Sequence, residues 1–523
     1  MKNTLRNILL GGLAVTMIAS CDLNLVPTTS IVYEEGTPLL LSERDIAEFQ
    51  NGVIASYRGL HYGSSWQTVE VMTECFNATS DFGNNYGFVH RLGSSFLASD
   101  DYTTGIWAGH YSAIKNYNIA IDQCDMVTDE ALLPSANILK GIALFCRASS
   151  YLTLARAFSA DYDPATASTD LSVPLILHYD QLEKPVRATQ AQVYGQIIAD
   201  LDEAEVLLEE ASQNGPIILN GNKAEGTLNL AGQPKAIAPT VDAVKALKAR
   251  YFLDIEEWAD AAANAEDVID SDAGYALSTS IEQLNKEFMT DDGTESIVRL
   301  YASKTEGAVG CTLYTGVSST DAEGKFFSPL FIPSQVIVDA YDAQDLRKQA
   351  WFPVDMYPVK IDGTLYSGIA MFTKYIGNPN LQQGENEDGA HYCKPLMLAE
   401  MYLIAAEAYA QDGNEGKAKE ILNALQMARK AVPTDGSLES VKKEWLRETI
   451  GDGQRINCIK RWGDGLPARP AQKAAENIVM NTPVSDFTGR ALAADAHTLV
   501  WPIPSYEIKI SPALVQNPGY SAE

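Results

Sequence analysis

The sequence predicts a mainly α fold: a helical body interrupted by long loop-rich insertions, with few short strands. Three observations carry this. Several segments place apolar residues at helical spacing behind a capping residue; two helix pairs repeat each other at a fixed offset; and two long stretches rich in Gly, Ser, Asn and aromatics keep no period. With 523 residues, 46% hydrophobic and 20% charged, the chain has the length and composition of a globular protein with a sizeable core. It carries 39 Lys+Arg against 68 Asp+Glu, a net charge of −29. Binding phosphates needs Lys and Arg to displace counterions, so the charge argues against nucleic acid and disfavours polyanionic partners generally.

The N-terminus has a basic start, Lys2 and Arg6, then an apolar run from Ile8 to Ile18. Such a run is too short for a bilayer core, which needs about 20 helical residues, but it fits the apolar region of a secretory signal. It ends Ile18-Ala19-Ser20-Cys21, which resembles a bacterial lipobox. Residues 1–20 are therefore expected to be a lipoprotein signal peptide and Cys21 the lipid attachment site. Each buried acyl methylene contributes about 0.8 kcal/mol, so two or more chains anchor stably.

An extended lead with Pro27 and Pro38 follows. Ser42 then caps a helix carrying Ile46, Phe49, Val53, Ile54 and Tyr57. Residues 61–104 read as a long ordered loop region. Helical patterns resume at Trp107–Met126, Asn137–Phe158, Thr189–Ala211, Pro239–Asp254 and Trp258–Asp270, interrupted by the Gly/Asn-rich stretch Asn214–Gln233. Ser271 to Lys394 reads as loop-rich, with β-like pieces such as Ser296–Tyr301, and a second helical block spans Pro395–Ile450. Trp107, Trp258 and Trp445 lie on helical patterns and are assigned to the core. The six cysteines besides Cys21 permit disulfides, but no C-x-x-C occurs and free or structural thiols are the favoured reading.

An offset of 157 residues aligns Leu247 with Ile404, Ala249 with Ala406, Phe252 with Tyr409, Ala261 with Ala418 and Val268 with Leu425. Small residues where helices cross, ringed by large apolar ones, are what stacked helical hairpins require. The spacings Phe252 to Ala261 and Tyr409 to Ala418 match those of tetratricopeptide-like helix pairs.

The C-terminus reads WPIPSYEIKISPALVQNPGY, Trp501 to Tyr520. This string resembles the ending of the SusD/RagB family of outer-membrane lipoproteins, P-I-P-x-x-E-I followed by Q-N-P-G-Y. Arg187–Leu208, the helix pairs above and RINCIKRWG, with Arg455, Arg461, Trp462 and Gly463, are similar to further family motifs in the same order. The chain departs from the pattern at Cys458, where the family has Asp, and at Trp445 and Asp452, where it has Arg and Glu; ion pairs built there are in question. The resemblance implies a lipid-anchored protein on the outer face of the outer membrane of Bacteroidota. Its halves, 21–230 and 231–523, would pack as one unit. It would bind oligosaccharides, or in some members peptides, and deliver them to a SusC-like TonB-dependent transporter. Arg455, Arg461 and Trp462 are read as ties between helices rather than ligand contacts.

Catalytic signatures are missing: no H-E-x-x-H, no G-x-S-x-G and no phosphate loop occurs. No enzyme activity and no cofactor are expected, with acidic loops at Asp100-Asp101 and Asp291-Asp292 the weak candidates for a structural calcium ion. A sugar ring presents a C–H face that stacks on an aromatic ring, while its hydroxyls need polar partners. Two or three such contacts support binding at about millimolar to micromolar Kd. Loop aromatics at 61–104 and 296–375 supply candidates, of which Trp66, Tyr86, Tyr314 and Trp351 are the expected ligand-binding residues. A helical-repeat scaffold for protein segments and a glycoside hydrolase remain the alternatives.

Overall fold

The computed structural model describes residues 36–61, 69–92, 96–180, 184–219, 227–304, 317–480 and 491–521. Cys21, Trp66, Cys311 and Tyr314 lie outside them. The mainly α architecture is as expected. α1 (Glu43–Leu60), α2 (Gly87–Arg91), α3 (Asp101–Asp125), α4 (Leu133–Phe158) and α5 (Gln190–Ser212) come first, then α6 (Val241–Asp254), α7 (Trp258–Ile269) and α8 (Ile281–Phe288). The short α9 (Gln335–Asp339) and α10 (Leu346–Trp351) precede α11 (Leu398–Gln411), α12 (Glu415–Ala428), α13 (Leu438–Thr449), α14 (Arg455–Arg461) and α15 (Ser505–Ile510).

Local chemistry explains where helices begin. The side chains of Ser42, Thr240, Ser280, Asn414 and Ser437 each accept a hydrogen bond from a backbone N–H of the first turn, and Thr189 with Gln192 forms a reciprocal capping box. Each such cap contributes about 1 kcal/mol. α4 runs through the core with α3 and α5 against it. At Gly141 a Cβ would sit 3.0 Å from Leu208 Cγ, so the absent side chain lets α5 approach α4. By length and apolarity α4 alone among the described helices would cross a membrane, yet 83% of its most apolar window is buried inside the protein. One hydrophobic cluster extends from Leu40 to Leu514.

The repeated pairs stack in succession: α6 packs on α7, α7 on α11, and α11 on α12. Ala249, Ala261, Ala406 and Ala418 are all fully buried, as the small-residue crossing requires. The two segments read as loop contain more structure than expected. Strand Phe76–Ala78 and α2 fall within 61–104, and α8, α9 and α10 within 271–394. Strands there are short: Phe76–Ala78 pairs far along the chain, Phe76 with Pro333, while Ser318–Asp321 with Gly324–Phe327 and Val359–Ile361 with Thr364–Tyr366 are local hairpins too brief to show a period. A four-stranded sheet (Thr364–Tyr366, Val359–Ile361, Gly324–Phe327, Ser318–Asp321) covers a second small core around Phe327, Val359, Ile361 and Met371.

Buried ion pairs knit the two helical blocks to this region. Arg347 faces Asp345, Glu444 and Glu448, while Arg429 faces Glu448 and Glu295, and both arginines are wholly buried. Arg461 donates two 2.8 Å bonds to Glu407, which also accepts from Trp462 Nε1; Arg455 reaches Glu74 at 2.9 Å. These three residues are thus inter-element ties. At the departures, Asp452 keeps an ion pair, with Lys374 at 2.8 Å. Trp445 packs 5.5 Å from the Arg461 guanidinium, and Cys458 is buried. Cys75, Cys124, Cys146, Cys393 and Cys458 are all free and buried. The C-terminal tail is fastened by Asn517, whose Nδ2 donates to the carbonyls of Phe158 (2.8 Å) and Trp501 (2.6 Å). Gly519 has φ +88° and a Cβ there would strike the His497 ring, so glycine is required.

Candidate functional site: a stacked tyrosine pair and the cavity behind it

Strands Ser296–Leu300 and Cys393–Met397 pair antiparallel, with Leu300 opposite Cys393. Side chains alternate across a strand, so the next residues outward, Tyr301 and Tyr392, meet on one face. Their rings stack at 5.8 Å between centroids and 27° between planes, and Tyr301 is 37% exposed. The Arg299 guanidinium lies 4.9 Å from the Tyr392 ring centroid. With the guanidinium over Tyr392 and its Nη1 donating to the Asp291 carbonyl, Tyr301 is the more exposed ring of the pair and the stacking surface it offers.

Two tethers bring other parts of the chain to this pair. Arg58 Nη1 donates to the Tyr301 carbonyl at 2.9 Å, and the Cys393 thiol donates to the His61 carbonyl at 2.9 Å. The end of α1 therefore sits beside the stack.

The remaining expected ligand residues fare differently. Trp351 is a correction: it is 1% exposed, edge-on to Phe288 at 5.3 Å, with the Lys374 ammonium 4.6 Å from its ring. α10, capped by Asp345, turns it into the core rather than out of a loop. Tyr86 is half-buried, at φ +53° before α2, and its ring packs edge-on against Tyr102. Phe76, Phe82 and Phe327, also in the loop-rich regions, are buried. Tyr301 lies in the 296–375 stretch of candidate loop aromatics; Tyr392 lies beyond it, and the buried, half-buried, buried alternation of His391, Tyr392 and Cys393 shows only in the folded chain.

His391 and Cys393 face the other way, into a cavity of about 200 Å³ bounded also by α1, α3, α4, α6, α11 and α14. Its wall mixes apolar side chains (Ile106, Met397, Leu499, Trp501) with charged ones already spoken for. Arg156 pairs with Asp254, Arg250 with Glu400, Lys374 with Asp452 and Lys394 with Asp291. Lys460 has no carboxylate partner among the described residues; its ammonium donates to the carbonyls of Arg156 and Ser159 at the C-terminal end of α4, where the helix dipole favours a cation. Burial pulls the pKa values of His110 and His391 down to about 4, leaving both imidazoles neutral. Glu70, which accepts from the Gly453 N–H, is pushed up to about 8 by the same desolvation.

Of the acidic residues offered for calcium, three have partners. Asp291 is buried against Lys394, Asn378 Nδ2 and the Tyr392 N–H, Asp292 pairs with Lys235, and Asp100 Oδ2 accepts from the Leu97 N–H. Among the described residues no group of three or more His, Cys, Asp or Glu is arranged to hold a metal.

A family model described as "Starch-binding associating with outer membrane" matches residues 28–224, and one described as "SusD family" matches residues 337–520. Similar solved structures include a SusD superfamily protein from Bacteroides thetaiotaomicron (TM-score 0.72, 22% identity, covering 92% of this chain and all of that one). A putative sugar binding protein from Bacteroides vulgatus (TM-score 0.71, 24% identity) covers 93% of this chain and 100% of its own. Surface glycan-binding protein A from Bacteroides fluxus (TM-score 0.66, 19% identity) covers 92% and 100%. No curated protein sequence matches the chain.

Proposed function

Because the chain belongs to the SusD/RagB family, we propose that it is a non-catalytic, surface-anchored lipoprotein that binds glycans and delivers oligosaccharides to a SusC-like TonB-dependent transporter. The observation that carries this reading is the pair of family models, which cover residues 28–224 and 337–520 and are described as starch-binding at the outer membrane and as the SusD family. The signal-like start and Cys21 support anchoring at the cell surface. The Tyr301–Tyr392 stack beside Arg299 supports a sugar-ring platform. Each ring face covered by a sugar removes roughly 50–100 Å² from water and contributes about 1–3 kcal/mol.

The test is affinity electrophoresis of the lipid-free chain, residues 22–523, through native gels cast with a panel of polysaccharides, followed by calorimetry and an assay for new reducing ends. Retardation without products is the expected outcome. Products in proportion to protein would replace the binding reading with hydrolysis, and passage unretarded through every glycan would turn the search to peptides. Co-purification from detergent-solubilised outer membranes tests the transporter partnership, and recovery with no barrel protein would overturn it.

A further inference from the structure

The platform accounts for a polymer's surface contacts but not for the cavity behind it. We propose that this cavity is a second binding site, one that takes a single neutral sugar-sized polyol. Its volume, about 200 Å³, falls below the roughly 300–1,000 Å³ of pockets for drug-sized ligands and equals the share of about six or seven liquid waters, which suits one sugar ring.

One polar atom on the wall is buried and unpaired: His110 is 7% exposed and its Nδ1 has no hydrogen-bond partner. Gln454 and Asn457 also line the cavity, half-buried, with no side-chain hydrogen bond among the described residues. A buried polar atom left unpaired costs free energy, and an occupant that pairs with it can also meet the two amides on the same wall. Hydroxyl groups both donate and accept, and so do an imidazole in its neutral form and a primary amide. Trp501, Ile106 and Leu499 provide apolar wall for a C–H face. A neutral occupant fits because four wall cations face carboxylates, and the fifth, Lys460, though without a carboxylate partner among the described residues, already donates to the carbonyls of Arg156 and Ser159. The choice of a sugar rests on the glycan-binding reading above, while the existence of the site does not.

The test uses the mature chain and the free sugars glucose, galactose, mannose, xylose and N-acetylglucosamine, with glucuronate as the charged probe, titrated by calorimetry. At least one neutral sugar is expected to bind. Asn457→Leu, which keeps volume and removes the amide, should weaken it at least tenfold, and His110→Phe likewise. Retardation by polysaccharide should stay unchanged in Asn457→Leu. A melting curve matching the parent's confirms that each variant is folded, and Asn457→Leu, at a partly open position, guards against loss of fold in His110→Phe. Binding by none of the neutral sugars overturns the proposal, as does binding unaffected by both variants or binding of glucuronate alone. Polymer retardation with no sugar bound defeats the cavity site only. Sugar bound with no polymer retarded defeats the platform reading only.

Discussion

At Tyr392 a single side chain decides what its strand offers to solvent. Its neighbours His391 and Cys393 point inward, and its ring completes the stack with Tyr301. Replacing Tyr392 by Ala should lower polysaccharide affinity about tenfold, the equivalent of losing one ring contact of roughly 1.4 kcal/mol; calorimetric affinity equal to the parent's would remove the platform from the mechanism. Arg429 shows the opposite use of a side chain. It is fully buried between Glu295 and Glu448 and also donates to the Ser278 carbonyl at 2.8 Å. Arg429→Met leaves Glu295 without its cation and Glu448 with Arg347 alone, and urea melts should show about 3–5 kcal/mol of lost stability. A loss below about 1 kcal/mol would mean that Arg347 alone neutralises the cluster. Neither residue announces its role in sequence. Tyr301 and Tyr392 lie on separate strands whose pairing is long-range, and Arg429 looks like any helix-end arginine until its distant carboxylates converge.

At the level of elements the sequence was far more legible. Ser42, Thr189 and Thr240 mark helix starts because their side chains satisfy local backbone donors, and the aligned alanines mark the crossings because burial of small residues is periodic along a helix. What stayed hidden were pieces whose order comes from remote partners: strand Phe76–Ala78, and α10, six residues long, whose packing against α8 takes Trp351 inward. The junction of α12 and α13 shows how tightly successive elements fit. A Cβ on Gly436 would lie 1.9 Å from the Glu415 carbonyl oxygen and 2.7 Å from the Lys419 nitrogen, both backbone atoms that cannot rotate away. Gly436→Ala should therefore destabilise by about 1–3 kcal/mol in denaturant melts; a neutral or stabilising result would mean that the turn before α13 relaxes freely.

Across the whole molecule, buried titratable groups set the pH range in which the fold is strongest. His110 and His391 have folded pKa values near 4 against the usual value of 6.5, so below about pH 6.5 the unfolded chain binds more protons and stability falls as pH drops. Glu70 does the reverse: with a folded pKa near 8 against 4.5, the native state holds the extra proton, and stability falls as pH rises from about 4.5 to 8. Each group contributes up to about 1.4 kcal/mol per pH unit within its window. On the acid side His61, lowered to about 3 by burial, joins these two histidines, while Asp161, raised to about 6, joins Glu70; the histidines prevail, so the melting temperature should peak near pH 6–7 and the alkaline decline should flatten in Glu70→Gln. Scanning calorimetry across pH 5–8 checks both, and a parent-like slope in the variant would contradict the assignment. The stacked tyrosines have a further consequence, expressed in time. A two-ring face giving a Kd of about 10–100 μM, combined with ordinary association rates of about 10⁶–10⁷ M⁻¹s⁻¹, lets a glycan leave on the order of 10–1,000 times per second. A bound chain then dwells for only about 1–100 ms, and each copy of the protein can sample many passing glycans every second.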